Sequence, residues 1–222
     1  MQQAMFQPLP KALKYLVLTL VIIELAATAS EMGLSPASDM RRDLIIYGGL
    51  WPQFFWGTWE PLFTGQPILM LITHAFVHSG LIHMAMNTVI LLAIGKRLTM
   101  VIGSNWVLAL FFISAIAGGL LYVLLNADGA PAVGASGAAF GFFGFLKYLE
   151  YRMLRRQGLP LTPIFQFIGA MVAMNVVMWW GFDGMLAWEA HLGGFIAGWL
   201  LGTIFIRSRG QSTGFQSKHR QN

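Results

Sequence analysis

Residues 126–146 read N-A-D-G-A-P-A-V-G-A-S-G-A-A-F-G-F-F-G-F-L. The first half carries Asp128-Gly129, Pro131 and Gly134, which favour turns over a continuous helix. The second half, Ser136–Leu146, is apolar and rich in small residues, and Lys147 ends it. A spanning helix takes about 20 apolar residues, so this run is short for a full crossing. Ser136 lies 11 residues before Lys147 (147 − 136), or roughly 16 Å along a helix axis. The helix therefore begins beneath the membrane surface, and Asn126–Ala135 must dip inward to reach it. Irregular backbone at that depth is tolerated only against protein or around a water-filled cavity. The stretch thus predicts a helical membrane bundle with a wet pocket open to one face.

The rest of the chain agrees with a membrane class. Of 222 residues, 56% are hydrophobic and 10% charged, and mean hydropathy is +0.64. Soluble domains carry about a quarter charged residues, so the composition argues against a water-soluble globule. There is no Cys, which removes disulfides, thiol nucleophiles and thiolate metal sites together. Six apolar runs stand out: Leu13–Ala29, Leu81–Ile94, Trp106–Leu125, Ser136–Leu146, Ile164–Trp180 and Leu192–Ile206. The second, like the fourth, looks short. Of the 14 Lys and Arg, all but Arg41 and Arg42 fall on one side of the alternation these runs define. The opposite loops hold Glu31, Asp39, Asp43, Glu60, Asp128, Asp183 and Glu189. By the positive-inside bias both termini are cytoplasmic. The sequence pI of about 9.8 therefore reflects topology and does not imply a nucleic-acid partner. The fold class is an all-α polytopic bundle of six transmembrane helices, with a short cytoplasmic N-terminus (1–12), a membrane domain (13–206) and a polar cytoplasmic tail (207–222), expected to be disordered.

Lys11, Lys14 and Ala27-Thr28-Ala29 mimic a secretory signal, but Glu24 within the apolar stretch argues for an uncleaved first helix. Glu24 either faces neighbouring helices or snorkels outward. Residues 30–72 hold Trp51, Phe54, Phe55, Trp56, Trp59 and Phe63, broken by Pro52, Gly57, Pro61, Gly65 and Pro67. Such a segment is expected to lie in the outer interface without crossing it, as an ordinary aromatic belt would.

Polar groups inside the apolar runs are the candidates for chemistry. His83 lies 13 residues from Lys96 (96 − 83), about 20 Å, and His191 lies 16 from Arg207 (207 − 191), about 24 Å. In a core about 30 Å thick, these two and Ser136 share a depth roughly 6–14 Å below the outer surface. Gly134-Ala135-Ser136-Gly137 sets a serine at a loop-to-helix turn, where backbone N–H groups favour developing negative charge. Ser136 is a nucleophile, or else a helix cap in a small-residue seam with Gly137, Gly141 and Gly144. His191 precedes Gly194 and Gly198 on its own face, so it either serves Ser136 as general base or caps its helix. No carboxylate falls on that face: Glu189 is at i−2 and Asp183 is in the outer loop, so a dyad is expected. His83 and Asn87 are i, i+4 and aim into the bundle as oxyanion donors. His74, His78 and His83 could instead be metal or haem ligands, but no Cys is present and H-E-x-x-H is absent. Neither a metal nor another cofactor is expected.

Three blocks together, T-H-A-F-V-H-S-G-L-I-H-M-A-M-N (Thr73–Asn87), G-A-S-G-A-A-F-G-F-F-G (Gly134–Gly144) and A-H-L-G-G-F-I-A-G (Ala190–Gly198), resemble the rhomboid intramembrane serine proteases. The resemblance covers about residues 73–200. It implies Ser136 as nucleophile, His191 as its partner, and His83, Asn87 and the Ser136 N–H as the oxyanion site. It gives His78 and His74 a supporting role in holding the loop and its waters. Gly134, Gly137 and Gly194 belong to the same motifs. Phe140 stands where many members carry a Tyr packed on the catalytic imidazole, so a ring can stack but no hydroxyl is present. The Trp-Arg pair usual before the histidine block is absent, with Leu69-Met70 in its place, which puts the usual docking of the outer segment in doubt. The implied substrates are single-pass membrane proteins, unwound locally for cleavage and admitted beside the fifth span (Phe165, Phe167, Trp179, Trp180), whose aromatics also suit plain interface anchors. A non-catalytic relative that binds membrane clients is the other reading. A bacterial inner membrane suits the compact form; oligomeric state is open.

Overall fold

The computed structural model describes residues 8–35 and 39–218, with side chains through Ser208. Among these residues the chain is helical, and its extended pairing is one antiparallel bridge between Leu50 and Ala132. The long helices are α1 (Lys11–Glu31), α5 (Leu81–Ile102), α6 (Ser104–Leu125), α7 (Ser136–Gln157), α8 (Thr162–Gly181) and α9 (Trp188–Lys218). Three short ones, α2 (Met40–Gly48), α3 (Pro52–Trp56) and α4 (Gln66–Thr73), lie between α1 and α5. The 3₁₀ turn His74–Phe76 follows α4 directly.

Five of the long helices, α1, α5, α6, α8 and Trp188–Ser208 of α9, are long and apolar enough to cross a membrane. The sixth, α7, has 22 residues, but its second half carries Lys147, Glu150, Arg152, Arg155 and Arg156. Neither α5 nor α7 is short. Each runs for 22 residues, because the helix continues past the cations that end its apolar run. Hydropathy marks where lipid contact ends, not where backbone hydrogen bonding does. The same reasoning applies to α9, which continues to Lys218 where a polar, disordered tail is expected; residues 219–222 of that tail lie outside the described residues. Residues 1–7 of the expected N-terminus also lie outside them, and α1 starts at Lys11, just after Pro10.

Burial makes α7 the centre. Gly137, Ala138, Ala139, Phe140, Gly141, Phe142, Gly144 and Phe145 are all buried, as expected for a helix apolar on every side. Its most extensive packing is against α9, then α6. Glycines make this possible. A Cβ at Gly194 would collide with the Gly137 carbonyl oxygen, one at Gly198 with that of Gly141, and one at Gly144 with that of Phe195. The expected seam of two small-residue faces is therefore present, backbone against backbone. Leu13, Leu16, Val17 and Leu20 of α1 join Leu91, Leu98, Phe111, Phe142 and Phe145 in one apolar core. In contrast, Ile164 is the only buried residue of α8.

The outer segment docks without a Trp-Arg pair. Arg41 of α2 reaches down to Glu24, which is 1% exposed, and bonds it through two nitrogens at 3.0 Å each. Its remaining donors meet Glu31, the Thr28 hydroxyl and the His78 carbonyl. Hydrogen bonds to Glu31 first, and then to Glu24, push the guanidinium pKa further up, so it stays charged. Glu24 thus faces a partner inside the protein and does not snorkel. Trp56 donates to the Val123 carbonyl, Gln53 to Gly129, Gln66 to Ile46 and Thr73 to Gly48. Helices of 9, 5 and 8 residues cannot cross a bilayer, and these bonds hold them across the end of the bundle.

Candidate active site

The loop 126–135 is where irregular backbone enters the bundle, and several of its backbone groups are met by protein. Gly129 N–H donates to Asn126, Leu50 and Ala132 exchange both bonds, and the Tyr122 hydroxyl donates to Ala130. The Gly134 N–H donates to the His74 carbonyl at 2.8 Å, and the Ala135 N–H to His78 Nε2 at 3.4 Å. His78 thus holds the loop through its ring, and His74 through its backbone carbonyl. His74 Nδ1 donates to Met70 within its own turn. Backbone groups met in this way allow a loop to end deep inside a bundle.

That loop delivers Ser136 to the first position of α7. Ala135 at the N-cap makes no side-chain cap bond, so no capping side chain occupies the N–H groups of the first turn. Ser136 Oγ lies 2.9 Å from His191 Nε2. The contact follows from the seam: α7 and α9 approach so closely at Gly137 and Gly194 that the residues opening both helices meet. Phe140, one turn beyond Ser136, stacks on the His191 ring with centroids 4.2 Å apart and planes 3° from parallel. The stacking thus survives without the family's usual hydroxyl.

The oxyanion candidates sit on the other side of the loop. Gly134 has φ +116°, and a Cβ there would lie 2.7 Å from His83 Nε2 and 3.5 Å from Asn87 Nδ2. Only glycine lets the backbone pass so close to both donors. Asn87 Nδ2 donates one proton to the His83 carbonyl at 3.1 Å, which leaves the second for the site. His83 Nδ1 is 3.0 Å from the Ser79 hydroxyl, and its ring meets His78 edge-on at 5.1 Å. Hence Ser136, His191, His83, Asn87, His78, Phe140, Gly134, Gly137 and Gly194 all converge on one end of the bundle, where α5, α7 and α9 begin. Among the described residues no three of His, Asp and Glu come together in a geometry that could hold a metal ion.

Two contributors are absent from the sequence expectations. One is Ser79. The other is Asn175 on α8, whose Oδ1 lies 2.6 Å from His191 Nδ1. The signal was present: an Asn amid Met171–Trp180 is as costly in lipid as Asn87 and must also turn inward. Beside it a cavity of about 350 Å³ separates α8 from α7 and α9, lined by Phe140, Met171, Asn175, Trp179, His191 and Phe195.

Fold and site define a class: a polytopic helical membrane protein that encloses a serine–histidine pair at one end of its bundle. The chain belongs to the rhomboid family, matching the Rhomboid domain over residues 65–208. It is 30% identical over 140 residues to "Rhomboid-like protease 3" of Toxoplasma gondii, covering 63% of this chain and 52% of that protein. To "RHOMBOID-like protein 6, mitochondrial" of Arabidopsis thaliana it is 30% identical over 151 residues, 67% of this chain and 47% of that one. "RHOMBOID-like protein 5" of the same plant is 29% identical over 137 residues, 61% and 43% of the two chains. The chain therefore spans about half the length of the curated relatives it matches.

Proposed function

We propose that this chain is an intramembrane serine endopeptidase that cuts membrane proteins in or near their transmembrane segments by a Ser136–His191 dyad. One observation carries the reading: the 2.9 Å contact between Ser136 Oγ and His191 Nε2 at a glycine-pressed seam. Membership of the rhomboid family supports it.

His191 Nε2 takes the proton of the Ser136 hydroxyl as Oγ attacks the scissile carbonyl carbon. The resulting oxyanion is held by the Ser136 N–H, Asn87 Nδ2–H and His83 Nε2–H, with the Ser79 hydroxyl donating to His83 Nδ1 to keep the proton on Nε2. The imidazolium then gives its proton to the leaving amine, the C–N bond breaks, and an acyl ester on Ser136 remains. Water attacks that ester, His191 takes its proton and returns it to Oγ, and the free acid departs. A helical peptide bond is shielded by its own hydrogen bonds, so a substrate must be extended locally to enter, which favours small or helix-breaking residues at the cleavage point. No metal or cofactor takes part. The charge pattern supports an inner-membrane orientation with both termini cytoplasmic and the site opening outward.

In liposomes carrying a model single-pass substrate, the wild type cleaves and labels with a fluorophosphonate, whereas Ser136→Ala and His191→Ala do neither. Asn87→Ala keeps partial activity, about 10²–10³ lower. Cleavage persisting in Ser136→Ala overturns the assignment; a wild type that neither labels nor cleaves is instead a non-catalytic client-binding relative.

A further inference from the structure

We propose that Asn175 is a positioning residue that fixes the tautomer and orientation of His191 behind Ser136; this rests on the dyad reading above. The argument starts with the amide. Asn175 Nδ2 donates to the Met171 carbonyl at 2.8 Å, one helical turn back on α8. With the nitrogen so committed, the oxygen faces His191, and Oδ1 can only accept. The 2.6 Å contact therefore requires a proton on Nδ1. A neutral imidazole protonated at Nδ1 has its lone pair on Nε2, and Nε2 is the atom 2.9 Å from Ser136 Oγ. The amide thus selects the one neutral tautomer able to accept the serine proton.

Orientation follows from the same contact. Phe140 fixes the plane of the ring by stacking but leaves it free to turn within that plane. Bonds at Nε2 and Nδ1 on opposite edges remove that freedom. Asn175 does here what a buried carboxylate does in other serine hydrolases, but without a charge, which suits a cavity lined by Met171, Trp179 and Phe195. Since α8 packs so lightly, this side-chain bond is also what ties it to the catalytic histidine.

The test compares Asn175→Ala, Asn175→Leu and Asn175→Asp in the liposome assay, with the pH profile of kcat/KM and with fluorophosphonate labelling rates. The Ala and Leu variants should lose roughly 10- to 100-fold in kcat with little change in KM, below the ~10⁴-fold loss when a triad histidine is held in the wrong tautomer. Labelling, which needs no transmembrane substrate, should fall in parallel. Leu fills the space of Asn, so a packing role alone would leave that variant active. Asp keeps the acceptor and adds charge beside the ring. The imidazolium is then stabilised, the ring's pKa rises, and the acidic limb should move to higher pH by about 1–3 units. Wild-type kcat and labelling in both Ala and Leu variants overturn the inference, as does an active Asp variant with an unmoved limb. Should Asp not fold, the Ala and Leu pair decides. If Ser136→Ala stays active, the dyad reading fails and the inference fails with it; a dead Ser136→Ala beside unaffected Asn175 variants sinks the inference alone.

Discussion

The helix that carries Ser136 is held in two different ways by two neighbours. Against α9 it is locked backbone to backbone, through glycines that leave no room for a methyl group. Against α8 it meets little more than Phe143 on Phe167 and the Lys147 ammonium over that same ring, with a cavity beside them. The proposed dyad needs Ser136 and His191 held closely in register, and the first arrangement suits that need. On the proposed activity, a substrate that is itself a helix must also be let in somewhere, and the second is where opening costs least. His191 stands where the two regimes meet: its Nε2 and its ring face belong to the locked side, its Nδ1 to the loose one.

The sharpest way to break this contrast is one substitution made on both sides. A Cβ at Gly198 meets the Gly141 carbonyl, a backbone atom that cannot swing away, while a Cβ at Gly169 of α8 has nothing within 4 Å. Gly198→Ala should separate α7 from α9, lower the midpoint of thermal unfolding in detergent by ten degrees or more (on the order of 3 kcal/mol or above), and abolish cleavage. Gly169→Ala should leave activity intact and raise stability by roughly 0.5–1 kcal/mol, the helix-propensity gain of alanine over glycine. Equal effects at the two glycines would remove the distinction.

Next in size is the ion pair that joins the outer segment to α1. Arg41→Ala leaves Glu24 buried with its charge uncompensated, so a loss of about 3–5 kcal/mol is expected. Arg41→Ala/Glu24→Gln should recover much of it, measured as the unfolding midpoint. Loss of the bond to the His78 carbonyl should also slow cleavage, since His78 in turn holds Ala135, the residue before the nucleophile.

How much of this could be read in the chain depends on whether a feature is local. Ser136, His191, His83 and Asn87 announce themselves because each is a polar group at a fixed step from glycines or from another polar group on its own helix. The seam is legible for the same reason. The partner of Glu24 is not. Arg41 stands out in sequence only as an exception to the charge pattern, and its reach of 17 residues back to α1 depends on how α2 folds over the bundle end. Asn175 shows in the chain as a polar group that must turn inward, but what it meets there does not. It lies among Met171–Trp180, where the face turned inward depends on the rotation of α8, and periodicity is faint in a helix that is apolar all round. Hydropathy understates helix length for a third reason: α5 and α7 continue through polar and charged residues beyond their apolar runs.

The smallest effect concerns the aromatic face of His191, and it bears on which side of the boundary controls the ring. Phe140 belongs to α7 and stacks on the imidazole whether or not α8 is in place. Phe140→Leu removes that stacking, worth about 0.5–1.5 kcal/mol, so kcat/KM should fall only about 2- to 10-fold. Phe140→Tyr should change it less, because the ring remains. Combined with Asn175→Ala, the two losses should exceed their sum, since a ring freed in its plane and out of it has no remaining constraint but the serine itself. Strict additivity in that cycle would mean that the locked and loose sides of the site act on His191 independently.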